Sequence, residues 1–306
     1  MFAPIVLFTY SRVDHTKRVV ESLLTNNEAK DSELFIFSDG AKDESKECAV
    51  NENRRYIHTI AGFKSVTIIE REKNYGLANS LIAGITDVIG KYGKVIVVED
   101  DLVVSPYFLK FMNDGLRKYE NEERVGAISA FIYPVNKKLP TNFFLRYFNC
   151  WGWAIWKRSW DLLNTDTKYL LRKMRFLSKE FDVGGGAGAY GNLYCQKVGL
   201  VDSWWVRLYA SLFLANKLTL YPGQSLTTNE GLDGSGTHCV ETSDIISKVV
   251  PVQSPIKILD IDIEENRDAF KIYSCYFNSL NKAGRIRQMF YSAWSFVRRL
   301  LYIDCR

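Results

Sequence analysis

Val95-Ile96-Val97-Val98-Glu99-Asp100-Asp101 decides how this chain folds. Four successive β-branched residues read as a strand buried on both faces. The three carboxylates that follow cannot join the core, because an unpaired buried charge is very costly. They face water, a cation or a ligand at the strand's carboxyl end, where open α/β sheets bind ligands. Hard divalent ions such as Mg2+ and Mn2+ take oxygen ligands, often one or two carboxylates plus substrate phosphates. The alternative is a plain polar exit before a capped helix. The metal–phosphate reading is favoured over it, because function gathers at such strand ends.

Outward from this stretch, strand and helix signals alternate. Residues 4–10 read as an apolar strand, and Asp14 as the cap of a helix running to about Leu24. A second strand, 34–37, ends at Ser38-Asp39-Gly40, and a polar helix follows over 44–60. A third strand covers 65–69, and a helix over 77–89 carries apolar residues at 77, 81, 82, 85, 88 and 89. After the acidic triplet, Ser105-Pro106 supplies an N-cap and a first-turn proline for a helix from Tyr107 to about Tyr119, and a fifth strand spans 125–131. The βαβα order predicts a mainly parallel sheet with helices on both faces.

The rhythm changes beyond residue 140. Six tryptophans cluster at 151, 153, 156, 160, 204 and 205, interrupted by Gly184-Gly185-Gly186-Ala187-Gly188. Residues 136–245 therefore read as a second half closing over the carboxyl edge laid down by 1–135. Residues 246–306 read as an extension, with an irregular connector over 244–263. Its tail sets Lys282, Arg285, Arg287, Arg298, Arg299 and Arg306 against a single Asp304. Apolar positions 286, 289/290, 294, 297 and 301 fall on one helical face. Such a basic amphipathic helix suits an anionic membrane surface, its own domain or a dimer contact equally well.

Composition narrows the class. A chain of 306 residues that is 47% hydrophobic and 14% aromatic can bury a sizeable core. A net charge of +5 permits an anionic substrate without demanding one. No zinc-finger spacing or nucleic-acid motif occurs, so no nucleic-acid partner is expected. The six cysteines are scattered with no C-x-x-C, which points to free thiols in a reducing compartment. The start lacks the shape of a signal peptide and no stretch is apolar enough to span a bilayer. The expectation is a cytoplasmic protein, soluble or peripheral at the inner face of the membrane.

Three polar exits fall at successive carboxyl ends: Thr9-Tyr10-Ser11-Arg12, Ser38-Asp39-Gly40 and the acidic triplet. Each alone is weak; Ser-Asp-Gly is first of all a turn. Together they outline a nucleotide site, in which the Asp39 carboxylate could accept from the imide N–H of uracil. Asn74-Tyr75-Gly76-Leu77-Ala78-Asn79 opens a helix, with Asn74 a candidate cap and Gly76 allowing close backbone approach. There is no Walker motif and no G-x-G-x-x-G after the first strand, which disfavours ATP hydrolysis and dinucleotide redox chemistry.

These motifs together resemble a GT-A-fold glycosyltransferase. Asn74, Gly76 and Ser80 fit the N-x-G-x-x-x-A/S-x-N pattern of the inverting family 2, with Ile82 in place of its last Asn. Glu99-Asp100-Asp101 with Ser105-Pro106-Tyr107-Phe108 is similar to N-acetylglucosaminyltransferase I and its bacterial relatives. The likeness covers residues 4 to 240. It implies that Asp101 binds Mn2+ or Mg2+ directly and that Asp100 and Glu99 contact ribose, sugar or metal-bound water. It further places Asp39 on uracil, and Arg12 and Asn74 near the nucleotide of a UDP-sugar.

The implied reaction transfers that sugar to a hydroxyl of a glycan or lipid-linked acceptor, with inversion, as in bacterial surface polysaccharide assembly. It needs a general base, for which Asp202 before Trp204-Trp205 is the choice and Glu230 and Asp233 are reserves. Asp202 as a helix N-cap is the competing reading. The polar loop 227–238 ends in His238, which the resemblance makes a candidate metal or diphosphate ligand. Trp151-Gly152-Trp153-Ala154-Ile155-Trp156 offers an indole to an acceptor sugar, although at least half of the tryptophans are expected in the core. A sugar-nucleotide pyrophosphorylase and a glycan-binding protein on a degenerate transferase fold are the rivals.

Overall fold

The computed structural model describes residues 2–231 and 249–280. Strands β1 (Ile5–Thr9), β2 (Glu33–Ser38), β3 (Ser65–Glu70) and β4 (Lys94–Glu99) alternate with helices α1 (Val13–Leu24), α2 (Glu44–Ile57) and α3 (Leu77–Tyr92). β5 (Leu102–Val104), α4 (Phe108–Lys118), β6 (Val125–Ser129), β7 (Asn142–Leu145) and β8 (Trp153–Trp156) follow. Helices α5 (Lys157–Trp160), α6 (Thr167–Met174), α7 (Ser178–Phe181), α8 (Ala189–Lys197) and α9 (Trp204–Leu214) lead to β9 (Leu218–Pro222) and β10 (Thr227–Asn229). Residues 267–280 form a last described helix, α10.

The result is a mixed α/β fold on one eight-stranded sheet, ordered β3-β2-β1-β4-β8-β6-β9-β7. β1 pairs in parallel with both β2 (Val6↔Phe35) and β4 (Val6↔Val97). The chain moves outward from β1 to β3 and then crosses back to β4. The β1/β4 crevice is therefore where the strand order reverses, the position at which such sheets take ligands.

The β4 run behaves as its β-branched residues require. Val95 and Val97 enter one core, Ile96 and Val98 the other, all with no exposed surface. Burying four such side chains contributes roughly 6–12 kcal/mol against an extended chain. Gly93, left-handed at φ 74°, stops α3 by donating its N–H to Ile89 O.

Several boundaries differ from the sequence reading. α1 starts at Val13 with Arg12 at the cap position, and Asp14 is an exposed first-turn residue near Lys17. α2 ends at Ile57, and α3 runs on to Tyr92. α4 begins at Phe108; Ser105 works just upstream, its Oγ accepting from Tyr107 N at 3.1 Å. Gly76, not Asn74, holds the cap position of α3. The sequence reading has 125–131 follow 95–98 as the next strand. In the fold β8 lies between them, antiparallel to both, with Ala154 opposite Ile96 and Ile128. A four-residue strand buried on both faces, flanked by more aromatics, carries no periodic signal.

The connector is irregular over its described part, 249–263, as expected. It is tied in by Val252 N to Ser225 O, and its isoleucines 256, 258, 261 and 263 pack on one core. α10, which the sequence reading lacks, buries Ala269, Tyr273 and Phe277 in the other. The amphipathic tail over 281–306 lies outside the described residues. No described helix is long and apolar enough to cross a membrane. Cys48, Cys150, Cys195 and Cys275 are free thiols.

Candidate active site at the β1/β4 crevice

Glu99 closes β4 half-buried, Asp100 is buried in the turn that follows, and Asp101 leads into β5. From the end of β1, Arg12 reaches across the crevice. Its Nη2 donates to Asp100 Oδ1 and, at 3.0 Å, to Asp101 Oδ2. Its Nη1 is buried with no hydrogen-bond partner.

Burial, reinforced by Asp101 and Asp100, pushes the Glu99 carboxyl up to about 8. Burial also lifts Asp100 to about 6, against the pull of Arg12. Burial works to lower the Arg12 guanidinium, but the two aspartates outweigh it and hold Arg12 well above its ordinary value. Arg12, joined at Asp100 by His15, thus faces three carboxylates, which outnumber the basic groups beside them.

β5 pairs antiparallel with β10, Leu102 opposite Asn229. The start of the expected polar loop is therefore a buried strand, which carries the chain back onto the triplet. Glu230 N donates to Asp101 O at 2.9 Å, and Glu230 Oε2 accepts from Arg18 Nε on α1 at 2.5 Å. A Cβ on Gly231 would collide with Asp101 Oδ2 and stand 2.9 Å from its Cγ. Asp233 and His238 lie outside the described residues.

Asp39 is buried after β2 and holds a second loop. Oδ1 accepts from Gly40 N at 3.1 Å and Tyr75 N at 2.9 Å, and Oδ2 accepts from Gly76 N at 3.0 Å. Asn74 Nδ2 adds a bond to Gly40 O at 2.8 Å. The two loops touch so closely that a Cβ on Gly40 would sit 2.5 Å from Lys73 C. Asn74 thus ties strand exits together instead of capping α3.

Arg71, just after β3, is a residue the sequence reading missed. Its guanidinium lies over Phe37 at 5.3 Å and Tyr75 at 4.7 Å, and its Nε and Nη2 are buried without hydrogen-bond partners. These are unused donors on a cation beside the Asp39 loop.

On the far side, Ser203 caps α9 by accepting from Val206 N, so Asp202 is not the cap. Asp202 is exposed and paired with Arg207 Nη2 at 2.9 Å. Trp204 stacks on Trp153 at 5.4 Å, and Trp153 lies opposite Val97 of β4. The N-terminus of α9 therefore lies at the same sheet edge as the triplet. Trp153, Trp156, Trp160 and Trp204 are core residues. Trp151 and Trp205 are half-buried and remain the two available indoles of the cluster. Gly152, at φ 76°, is explained by β10: a Cβ there would lie 2.7 Å from Thr227 Cγ2.

Among the described residues, no three Asp, Glu, His or Cys side chains converge closely enough to hold a metal ion alone. The donor set still fits one. It is all carboxylate oxygen, under-compensated in charge, and suits a hard cation that takes its remaining ligands from a substrate.

Known proteins resemble the chain in sequence and in shape. It is 24% identical over 174 residues to an alpha-1,3-mannosyl-glycoprotein 2-beta-N-acetylglucosaminyltransferase of Arabidopsis thaliana. The match takes in 53% of this chain and 39% of that relative, so the chain spans well under half of the relative's length. Among solved structures, it overlaps the mannosyltransferase PcManGT from Pyrobaculum calidifontis, determined with GDP-Man and Mn2+. There the TM-score is 0.38 at 14% identity, over 70% of this chain and 74% of the other. It also overlaps S. aureus TarS 1-349, with a TM-score of 0.44 at 10% identity, over 74% and 60%. The Glycosyl transferase family 2 model matches residues 5–189, from the first residue of β1 to the first of α8. That stretch is well over half of the chain and contains Arg12, Asp39, Arg71 and the acidic triplet; the protein belongs to glycosyl transferase family 2.

Proposed function

We propose that this protein is a glycosyltransferase that moves a sugar from a UDP-sugar to a hydroxyl of a glycan or lipid-linked acceptor, with inversion, using Mn2+ or Mg2+. The observation that carries the reading is the acidic triplet facing Arg12 at the strand-order reversal between β1 and β4. Asp101, with Asp100 behind it, would hold the cation. A bound divalent ion would offset charge developing on the diphosphate leaving group.

Arg12 and the N-terminal turn of α1 receive the diphosphate, where backbone N–H groups and the helix dipole favour an anion. Glu99 stands where ribose or sugar hydroxyls pass. Asp39 accepts from the backbone N–H groups of Gly40, Tyr75 (shared between both oxygens) and Gly76, and the imide N–H of uracil would join or displace one of these on the carboxylate. Arg71 lies beside it with two donors to spend on base or phosphate oxygens. Asp202, exposed at the mouth of α9, takes the acceptor's proton, and Trp151 or Trp205 supports the acceptor ring.

Surface polysaccharide assembly at the inner face of a bacterial membrane, with the basic tail on anionic lipid, is the setting that suits this chemistry. The test is calorimetric titration of UDP, GDP, CMP and dTDP in Mn2+ and in EDTA. Mn2+-dependent, UDP-selective binding that Asp101→Ala abolishes is expected. Binding of no nucleotide under either condition overturns the reading and leaves a degenerate, glycan-binding fold.

A further inference from the structure

We infer that Arg12 is a resident counter-ion which the metal must displace, and that its transfer to the donor's diphosphate couples metal binding to donor binding. This rests on the nucleotide-sugar reading above. The guanidinium does not merely lie near the triplet. One nitrogen, Nη2, bridges Asp100 Oδ1 and Asp101 Oδ2, occupying the gap between the two carboxylates best placed to hold a cation. A divalent ion on Asp101 would sit within a few ångströms of that nitrogen, where like charges repel strongly in a partly buried crevice. Arg12 must then leave.

Where it can go is set by its backbone. Arg12 occupies the cap position of α1, at the end of the helix that favours anions. Its Nη1 is buried and unbonded, so the fork is only half used. A diphosphate at the α1 N-terminus would give it a bidentate partner, the geometry at which Arg excels. Metal alone displaces Arg12 without offering it that partner. Diphosphate alone must compete with two aspartates for it. With both present, each carboxylate and each phosphate finds a cation. The consequence is strong mutual reinforcement, which by linkage is the same whichever ligand is added first.

Arg12→Lys is the discriminating variant, because it keeps the charge and removes the fork. Calorimetry is run with Mn2+ alone, with UDP in EDTA, and with UDP in saturating Mn2+, on wild type, Arg12→Lys and Arg12→Gln. Wild type should bind Mn2+ alone weakly, and Arg12→Lys about tenfold more tightly. The factor by which UDP tightens Mn2+ should fall about tenfold in Arg12→Lys, and further in Arg12→Gln. Should Arg12→Gln fail to fold, the lysine variant carries the comparison. Wild-type Mn2+ affinity and wild-type coupling in Arg12→Lys would overturn the inference. The Mn2+-alone arm needs no nucleotide, so this failure is distinct from that of the donor reading, which would appear as no UDP binding to wild type.

Discussion

At the scale of single residues, the site is defined as much by what is packed against the carboxylates as by the carboxylates themselves. Gly231 is the sharpest case. Its missing side chain leaves the space taken by the Asp101 carboxylate, and an added Cβ would collide with Oδ2 and meet Cγ at 2.9 Å. Gly231→Ala should therefore swing Asp101 and weaken Mn2+ in the presence of UDP by about tenfold or more. An unchanged Mn2+ affinity would show that the carboxylate has room to yield. Asp202 makes a different prediction, because it is exposed and its partner Arg207 lies on the adjoining helix α9. Asp202→Asn should lower kcat by about 10²–10⁴-fold while UDP affinity stays within about twofold. Near-normal turnover removes it from the base role. Arg71 shows how a site residue escapes notice: it obeys the same strand-exit rule as Arg12, but within Glu70-Arg71-Glu72-Lys73 it looks like part of a solvated charged turn.

At the scale of elements, legibility follows period and punctuation. β1, β2 and β4 are readable because their apolar runs stop abruptly at polar exits: Ser11-Arg12, Ser38-Asp39-Gly40 and the triplet. β8 is not readable: Trp153, Ala154, Ile155 and Trp156 are all buried, so nothing alternates. α10 does carry a signal. Ala269, Tyr273 and Phe277 recur every fourth residue, and Asn266 Oδ1 accepts from Ala269 N at 2.9 Å as a cap would. The prolines and acidic residues of the connector just before it mask that short period. The Asp39 role is half legible, since a turn aspartate can be foreseen but its grip on the amides of Tyr75 and Gly76 depends on loops 36 and 37 residues apart meeting in space. α10 also yields a stability prediction. Tyr273 is fully buried, with ring contacts to Tyr133 at 5.8 Å, Tyr221 at 6.1 Å and Phe277 at 5.9 Å. Tyr273→Ala should cost about 3–5 kcal/mol in chemical denaturation; a loss below about 1 kcal/mol would mean that α10 is not part of the cooperative core.

At the scale of the whole molecule, charge is distributed so that the site resists ionisation until cations arrive. The chain as a whole is basic, and a basic tail predicts that deleting residues 281–306 lowers binding to phosphatidylserine vesicles while leaving phosphatidylcholine binding unchanged. Equal binding of full-length and truncated protein to both would assign the tail another role. The crevice is locally acidic and under-compensated, and this links folding to pH. Burial and its acidic neighbours raise Glu99 from 4.5 to about 8, and burial raises Asp100 from 3.8 to about 6. In the metal-free protein the folded state therefore keeps protons that the unfolded chain has released. The contribution of these two carboxyls to stability is fully present below about pH 4 and drains away as pH rises towards 8. A divalent ion binds the deprotonated carboxylates, so it must expel those protons and should stabilise most where they are already gone. Calorimetric scans in EDTA should show Tm falling between about pH 5.5 and 8, and Mn2+ should raise Tm more at about pH 8 than at 5.5. Glu99→Gln should flatten the EDTA slope, because a side-chain amide has no proton to lose in this range. A Tm in EDTA that is level across this range in the wild type would mean that the basic groups already beside the cluster, Arg12 and His15, neutralise it, and that the divalent ion has no charge deficit to fill.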